Sequence, residues 1–176
     1  LLKNISFGYG DLPYHLENLC GQVEFVKNRL VVSAEKKLTA KLGPASVDIW
    51  GDFPLDDQLE MDLQADIVGF VLDRNLERAF PAKMLKNWRK FQPSGKLKAH
   101  VHMHGKSDDP EVLISGTLSK ASMMYELFPY ELGRIEGELE FQHYPKSSNP
   151  KYSNVLTVDS LQAYHGDTYV YVDQGI

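Results

Sequence analysis

His100, His102 and His104 alternate with Val101 and Met103. In an extended chain successive side chains point to opposite faces, so the three imidazoles share one face at a spacing of roughly 6.7 Å. Two such rings, with a third ligand from a neighbouring strand, make a metal site of the kind nitrogen ligands favour. The same stretch also reads as the wet side of a one-sided strand that continues Lys96 and Lys98. No other cluster points as clearly to chemistry. There is no Gly-x-Ser-x-Gly elbow and no Cys-His pairing around Cys20, the single cysteine. Phosphate-binding loops are missing too, because Gly8-x-Gly10 lacks the rest of a dinucleotide fingerprint. Asp56-Asp57 and Asp108-Asp109 stand in turn-like contexts, where aspartate is favoured for local hydrogen bonding. The sequence therefore predicts no enzyme, no catalytic residue and no cofactor.

The elements that would carry these residues are strands. Leu59, Met61, Leu63, Ala65 and Ile67 alternate with Glu60, Asp62, Gln64 and Asp66. Leu97, Ala99, Val101 and Met103 do the same against the lysines and histidines, and Val47 and Ile49 against Asp48 and Trp50. Period-2 alternation marks strands buried on one face only. Shorter apolar runs, among them Val112–Leu118, Glu138–His143 and Val155–Ala163, fall between turn signals such as Lys27-Asn28 and Gly43-Pro44. One-sided strands joined by short turns predict an antiparallel sheet, since parallel sheets need crossover helices and read as unbroken apolar runs. From about 70 to 92 the spacing becomes helical, through Leu72, Leu76, Phe80, Leu85 and Trp88, with Pro81 between. Proline suits a helix's first turn and damages its interior, so two short helices are expected there.

The chain also repeats itself. Tyr9, Pro13, Tyr14, Leu16, Gly21, Glu24 and Phe25 recur at one fixed interval as Tyr125, Pro129, Tyr130, Leu132, Gly137, Glu140 and Phe141. Leu38, Ala40, Gly43 and Val47 recur, seven residues further displaced, as Leu161, Ala163, Gly166 and Val170. The extra residues are expected in the loop Tyr144–Pro150. One β-groove fragment over 1–176 follows, with a first unit of about 116 residues (about 5–120) and a partial second one (about 121–176).

Composition narrows the partners. Of 176 residues 43% are hydrophobic, enough for a core, and the net charge is −5. That balance argues against sequence-independent nucleic-acid binding, which needs a positive field. Lys83, Lys86, Arg89 and Lys90 lie at helical spacing and read as a solvated helix face. No apolar run reaches the length of a membrane span. Strands that put one apolar residue in two on a single face leave more apolar area than two short helices cover. The uncovered part must meet a neighbouring repeat, a protein partner or an acyl chain.

The runs Pro13–Phe25 and Pro129–Phe141 resemble the Pro-Tyr/Leu-x-Leu-x-x-Ile/Val-x-Gly-x-Leu-x-Phe run of the AsmA-like family of bacterial envelope proteins, whose relatives include TamB and YhdP. The stretch Asn87–Gly105 is similar to the helix-to-strand junction of AsmA-like C-terminal regions. The resemblance implies a curved, taco-like β-groove in the periplasm, anchored by a transmembrane helix outside these residues. It implies phospholipid or another acyl-chain lipid as partner, carried between membranes or in support of outer-membrane assembly. Membrane contact would then come only through segments outside this stretch. The family brings no catalytic residues. What carries over is a groove-facing role for the inward alternating positions, assigned to Val47, Ile49, Leu59, Met61, Leu63, Ile67, Leu97, Val101 and Met103. A purely structural or protein-binding β-module is the other expectation.

Overall fold

The computed structural model describes residues 1–7, 15–56, 59–74, 82–148 and 151–175. Twelve strands run in chain order: β1 (Leu2–Phe7), β2 (Leu16–Gly21), β3 (Glu24–Val26), β4 (Arg29–Val32), β5 (Leu38–Leu42), β6 (Ala45–Pro54), β7 (Glu60–Leu72), β8 (Ser94–Lys106), β9 (Glu111–Tyr125), β10 (Phe128–His143), β11 (Asn154–His165) and β12 (Thr168–Gly175). Among the described residues one α-helix, α1 (Ala82–Phe91), and a short 3-10 turn at Lys146–Ser148 interrupt them. All the strands belong to one antiparallel sheet, mostly in sequence order: β1-β2-β5-β6-β7-β8-β9-β10-β11-β12. The β3–β4 hairpin joins it through β4 and β6. The sheet is open, with β1 and β12 at its ends.

Tight turns set this meander. Lys27 and Asn28 both have positive φ (46° and 65°), the requirement of a type I′ hairpin turn. Gly43 and Gly166, at φ 59° and 55°, turn β5 into β6 and β11 into β12. Sequence reasoning overstated the helical part. β7 runs on to Leu72, with Phe70, Val71 and Leu72 opposite Leu97, Lys96 and Gly95. The apolar spacing that suggested a helix from about 70 is there the alternation of a strand through a register shift after Ile67. The second expected helix is α1, and the first falls at 75–81, outside the described residues.

The self-similarity of the sequence has a counterpart in strand register. In β1–β2, Leu2, Ile5 and Phe7 face Gly21, Leu19 and Leu16. In β9–β10, at one constant interval, Leu118, Ala121 and Met123 face Gly137, Ile135 and Leu132. The five pairs of β5–β6, from Leu38↔Ile49 to Leu42↔Ala45, return as the five from Leu161↔Val172 to His165↔Thr168. Backbone irregularities recur too. Asn4 and Lys120 have φ 54° and 50°, and Asn18 and Arg134 have φ 55° and 50°. Each lies where the ladder slips, so the same two bulges bend both strand pairs. The hairpin tips differ. The short turn at Lys27-Asn28 becomes the long connection from His143 to Asn154, whereas Ser33–Lys37 shrinks to Asp159-Ser160. The added length is thus larger than a single insertion at Tyr144–Pro150, and part of it is cancelled in the returning strand.

Every buried apolar residue lies on one face. Val32, Leu38, Ala40, Ala45, Val47, Met61, Ala99, Ala121, Ile135 and Ala163 share it by alternation and register. No second layer covers them among the described residues, so the twist and bulges of the sheet itself shield this face. Ala121, Ile135 and Ala163 form the tightest knot, flanked by Leu118, Met123, Leu132 and Leu161. Gly137 makes that knot possible: a Cβ there would stand 2.8 Å from the Leu161 Cα. At the matching place in the first unit, a Cβ on Gly21 would stand 3.1 Å from the Leu38 Cα. Gly137→Ala is therefore expected to cost about 1–3 kcal/mol, because backbone rather than a side-chain tip must move. Gly133→Ala has its nearest neighbour at 4.0 Å and serves as the control, expected within about 0.5 kcal/mol of wild type. Urea denaturation of both variants measures the contrast, and equal midpoints would contradict it.

Candidate apolar binding face and the histidine row

Register turns the alternating residues into rows that cross the strands. One row runs Ala40, Val47, Ile67, Ala99, Gly116, Leu139, Val158 and Gly175. The next runs Leu38, Ile49, Ala65, Val101, Ile114, Phe141 and Leu156. Neither row contains a polar side chain. A third, Val32, Gly51, Leu63, Met103 and Val112, stays apolar until His143 and Asn154, which bond to each other at 2.9 Å. Leu97 sits opposite Phe70 and Leu118, beyond the slip in β7. With neighbouring strands 4.7–4.9 Å apart, seven strands make an apolar band roughly 29 Å wide.

The expected lipid-facing residues Val47, Ile49, Met61, Leu63, Ile67, Leu97, Val101 and Met103 all lie on this face. Leu59 does not belong to a row. It precedes β7, and its N–H donates to the Asp56 carbonyl at 3.0 Å, as part of the turn. The sequence list stopped at Met103 and so missed Val112, Ile114, Leu139, Phe141, Leu156 and Val158. Their strands alternate as clearly as the others, and carrying the phase across the turns would have found them. Gly51, Gly116 and Gly175 carry no hydropathy signal, and only register places them.

The three histidines share the opposite face, interleaved with the acids of β7. His100 Nδ1 lies 2.9 Å from Asp66 Oδ1, and His102 Nε2 lies 2.9 Å from Asp62 Oδ1. Lys37 Nζ donates to Asp66 at 2.9 Å and rests 3.6 Å above the Trp50 ring, whose other neighbour is the His100 ring at 5.7 Å. The first two histidines thus engage different carboxylates and do not converge. Among the described residues no three His, Cys, Asp or Glu side chains are placed to hold a metal ion. Toward β12 this polar face dips into a hollow of about 530 Å³ bordered by His100, Ser115, Thr117, Glu138, Glu140 and Thr157.

The hydrogen bond from His100, and then that from Lys37, hold the Asp66 carboxyl below its ordinary value of 3.8. A carboxylate depressed on folding stabilises the fold above its unfolded pKa and loses that contribution as pH falls through the folded one. All three groups are about a third or more exposed, so Asp66→Asn should cost only about 0.5–1 kcal/mol at pH 7. The deficit should shrink as pH drops below 3.8. Denaturation of wild type and variant across pH 7 to 2 measures it, and a gap that stays constant into acid would show that the pairing is not its source.

No family model, curated protein or solved structure matches this chain. No helix among the described residues is long and apolar enough to cross a membrane, which leaves strand-built membrane proteins untouched.

Proposed function

We propose that this chain is a non-catalytic module that holds or conducts the acyl chains of phospholipid along the apolar face of its sheet. The observation that carries the reading is the pair of cross-strand rows, from Ala40 to Gly175 and from Leu38 to Leu156, with no polar side chain and no covering layer among the described residues. An acyl chain laid along a row meets hydrocarbon at each strand, and each methylene withdrawn from water contributes about 0.8 kcal/mol. Nothing in the rows sets a register for the ligand, so a chain can slide from strand to strand, as conduction requires. The headgroup would stay at the rim in water. The Pro13–Phe25 and Pro129–Phe141 runs favour a place in an AsmA-like protein of the bacterial periplasm, serving transfer between membranes or outer-membrane assembly.

The half-buried state of Ile49, Val101 and Ile114 supports this reading over that of a closed structural module, in which their row would be sealed. Native mass spectrometry of the purified protein, followed by organic extraction, tests it. Wild type should retain phospholipid or take it up from added detergent-solubilised lipid. Val101→Gln with Phe141→Gln should lower occupancy by roughly ten-fold, the equivalent of about 1.4 kcal/mol, with the sheet spectrum retained. A wild-type protein that carries and accepts no lipid would overturn the reading. Equal occupancy in the variant would remove these rows as the path.

A further inference from the structure

From Ala82 to Gly105 the chain carries Lys83, Lys86, Arg89, Lys90, Lys96 and Lys98 and no Asp or Glu, although its net charge is −5. Four of these six cations fall on α1. Residues three and four apart share a helix face, so Lys86 and Lys90 lie on one side, and Leu85, Trp88 and Phe91 on the other. Lys86 and Arg89 are exposed. The apolar side is not sealed either. Trp88 borders a hollow of about 660 Å³ with Leu72, Asp73, Arg89 and Pro93, and Phe91 is 42% exposed. The β9–β10 turn stands beside the end of this helix. Glu126 N–H donates to the Lys90 carbonyl at 2.8 Å, and the Phe91 ring stacks on Tyr125 at 5.0 Å. Leu127, the next residue, is 77% exposed, and among the described large apolar side chains only Leu1 is more so. Cations and open apolar side chains thus meet at one corner, away from the edge strands β1 and β12.

From this we infer that α1 and the β9–β10 turn form a docking surface for an anionic lipid bilayer. Lys86, Arg89 and Lys90 would meet acidic headgroups, while Phe91 and Leu127 enter the boundary between headgroups and acyl chains, as amphipathic helices at interfaces do. Charge complementarity selects this occupant. Only two acids come close, Asp73 at the hollow and Glu126 at the turn. A plain solvated helix face would bring no exposed leucine with it, and a nucleic acid would leave Leu127 in water. The surface is separate from the two apolar rows and stands whether or not they hold lipid.

Vesicle flotation of the whole chain tests it. Wild type should float with vesicles of phosphatidylcholine and phosphatidylglycerol and not with phosphatidylcholine alone. Salt at about 0.5 M should release it, because charge is then screened within a few ångströms. Lys86→Glu with Lys90→Glu should lower binding by roughly ten-fold or more, and Leu127→Ser by roughly five-fold. Lys41→Glu with Lys151→Glu makes the same charge change at exposed positions elsewhere and should stay within about two-fold of wild type. Val101→Gln with Phe141→Gln should also bind as wild type does, which separates this surface from the acyl-chain path. Hydrogen exchange of the β9–β10 amides, unchanged from wild type, reports that each variant is folded. No flotation with the anionic vesicles, or equal flotation with both kinds, would overturn the inference. So would an equal loss in the two charge-reversal variants, or tighter capture by a DNA duplex than by the anionic vesicles.

Discussion

A sheet whose apolar face no second layer covers, among the described residues, is shielded by its own twist and bulges. That constraint governs the rest of this structure. Buried side chains in a layered domain rest on a second sheet or on helices. Here α1 packs beside the end of β9, where Glu126 N–H donates to the Lys90 carbonyl and Phe91 stacks on Tyr125 at 5.0 Å. Shielding comes instead from twist, from paired bulges and from small residues where strands crowd. Ala99, Ala121 and Ala163 are buried, together with the larger Leu38, Val47, Met61 and Ile135. Other large residues along the same rows, among them Ile49, Leu63, Val101 and Ile114, stay half-buried, and at the rim Leu156 and Phe53 are exposed. A surface of this kind is apolar, accessible and continuous, which is the combination a lipid tail can use.

The outer face solves a different problem. Like charges from β7 and β8 would strain the ladder if they faced each other, and the chain places aspartates against histidines and a lysine instead. Lys37 reaches from the connection before β5 to join Asp66 and Trp50, so one cation ties three elements together. Farther along, Arg134 lies over the Tyr164 ring at 4.0 Å, and Tyr164 meets Tyr169 at 5.2 Å. The exposed tyrosines of the last hairpin are therefore partnered within the sheet. None of this requires a metal or a reaction.

Much of the fold was legible because alternation is a local signal. The strands around Met61–Ile67 and Leu97–Met103 announce themselves in a few residues, and the turns at Lys27-Asn28 and Gly43-Pro44 carry their own chemistry. The end of β7 was not legible, because Phe70, Val71 and Leu72 follow a bulge that shifts the phase, and a shifted strand over a short window imitates helical spacing. The facing of His102 toward Asp62 was hidden for another reason: it depends on the register between β7 and β8, which neither strand encodes alone. The repeat was visible as identical residues, but its meaning lay in paired positions. Asn4 and Lys120 share no side-chain chemistry, yet both take the left-handed backbone that the bulge demands.

The central claim is that one face of the sheet, and not the other, meets acyl chains. Photo-crosslinking resolves it residue by residue. A photoreactive amino acid is placed in turn at each position from Leu97 to His104, and the protein is irradiated with labelled phospholipid. The account predicts adducts at Leu97, Ala99, Val101 and Met103 and few at Lys98, His100, His102 and His104, a period of two along β8. Adducts of equal yield at neighbouring positions, or concentrated on the histidine side, would contradict it.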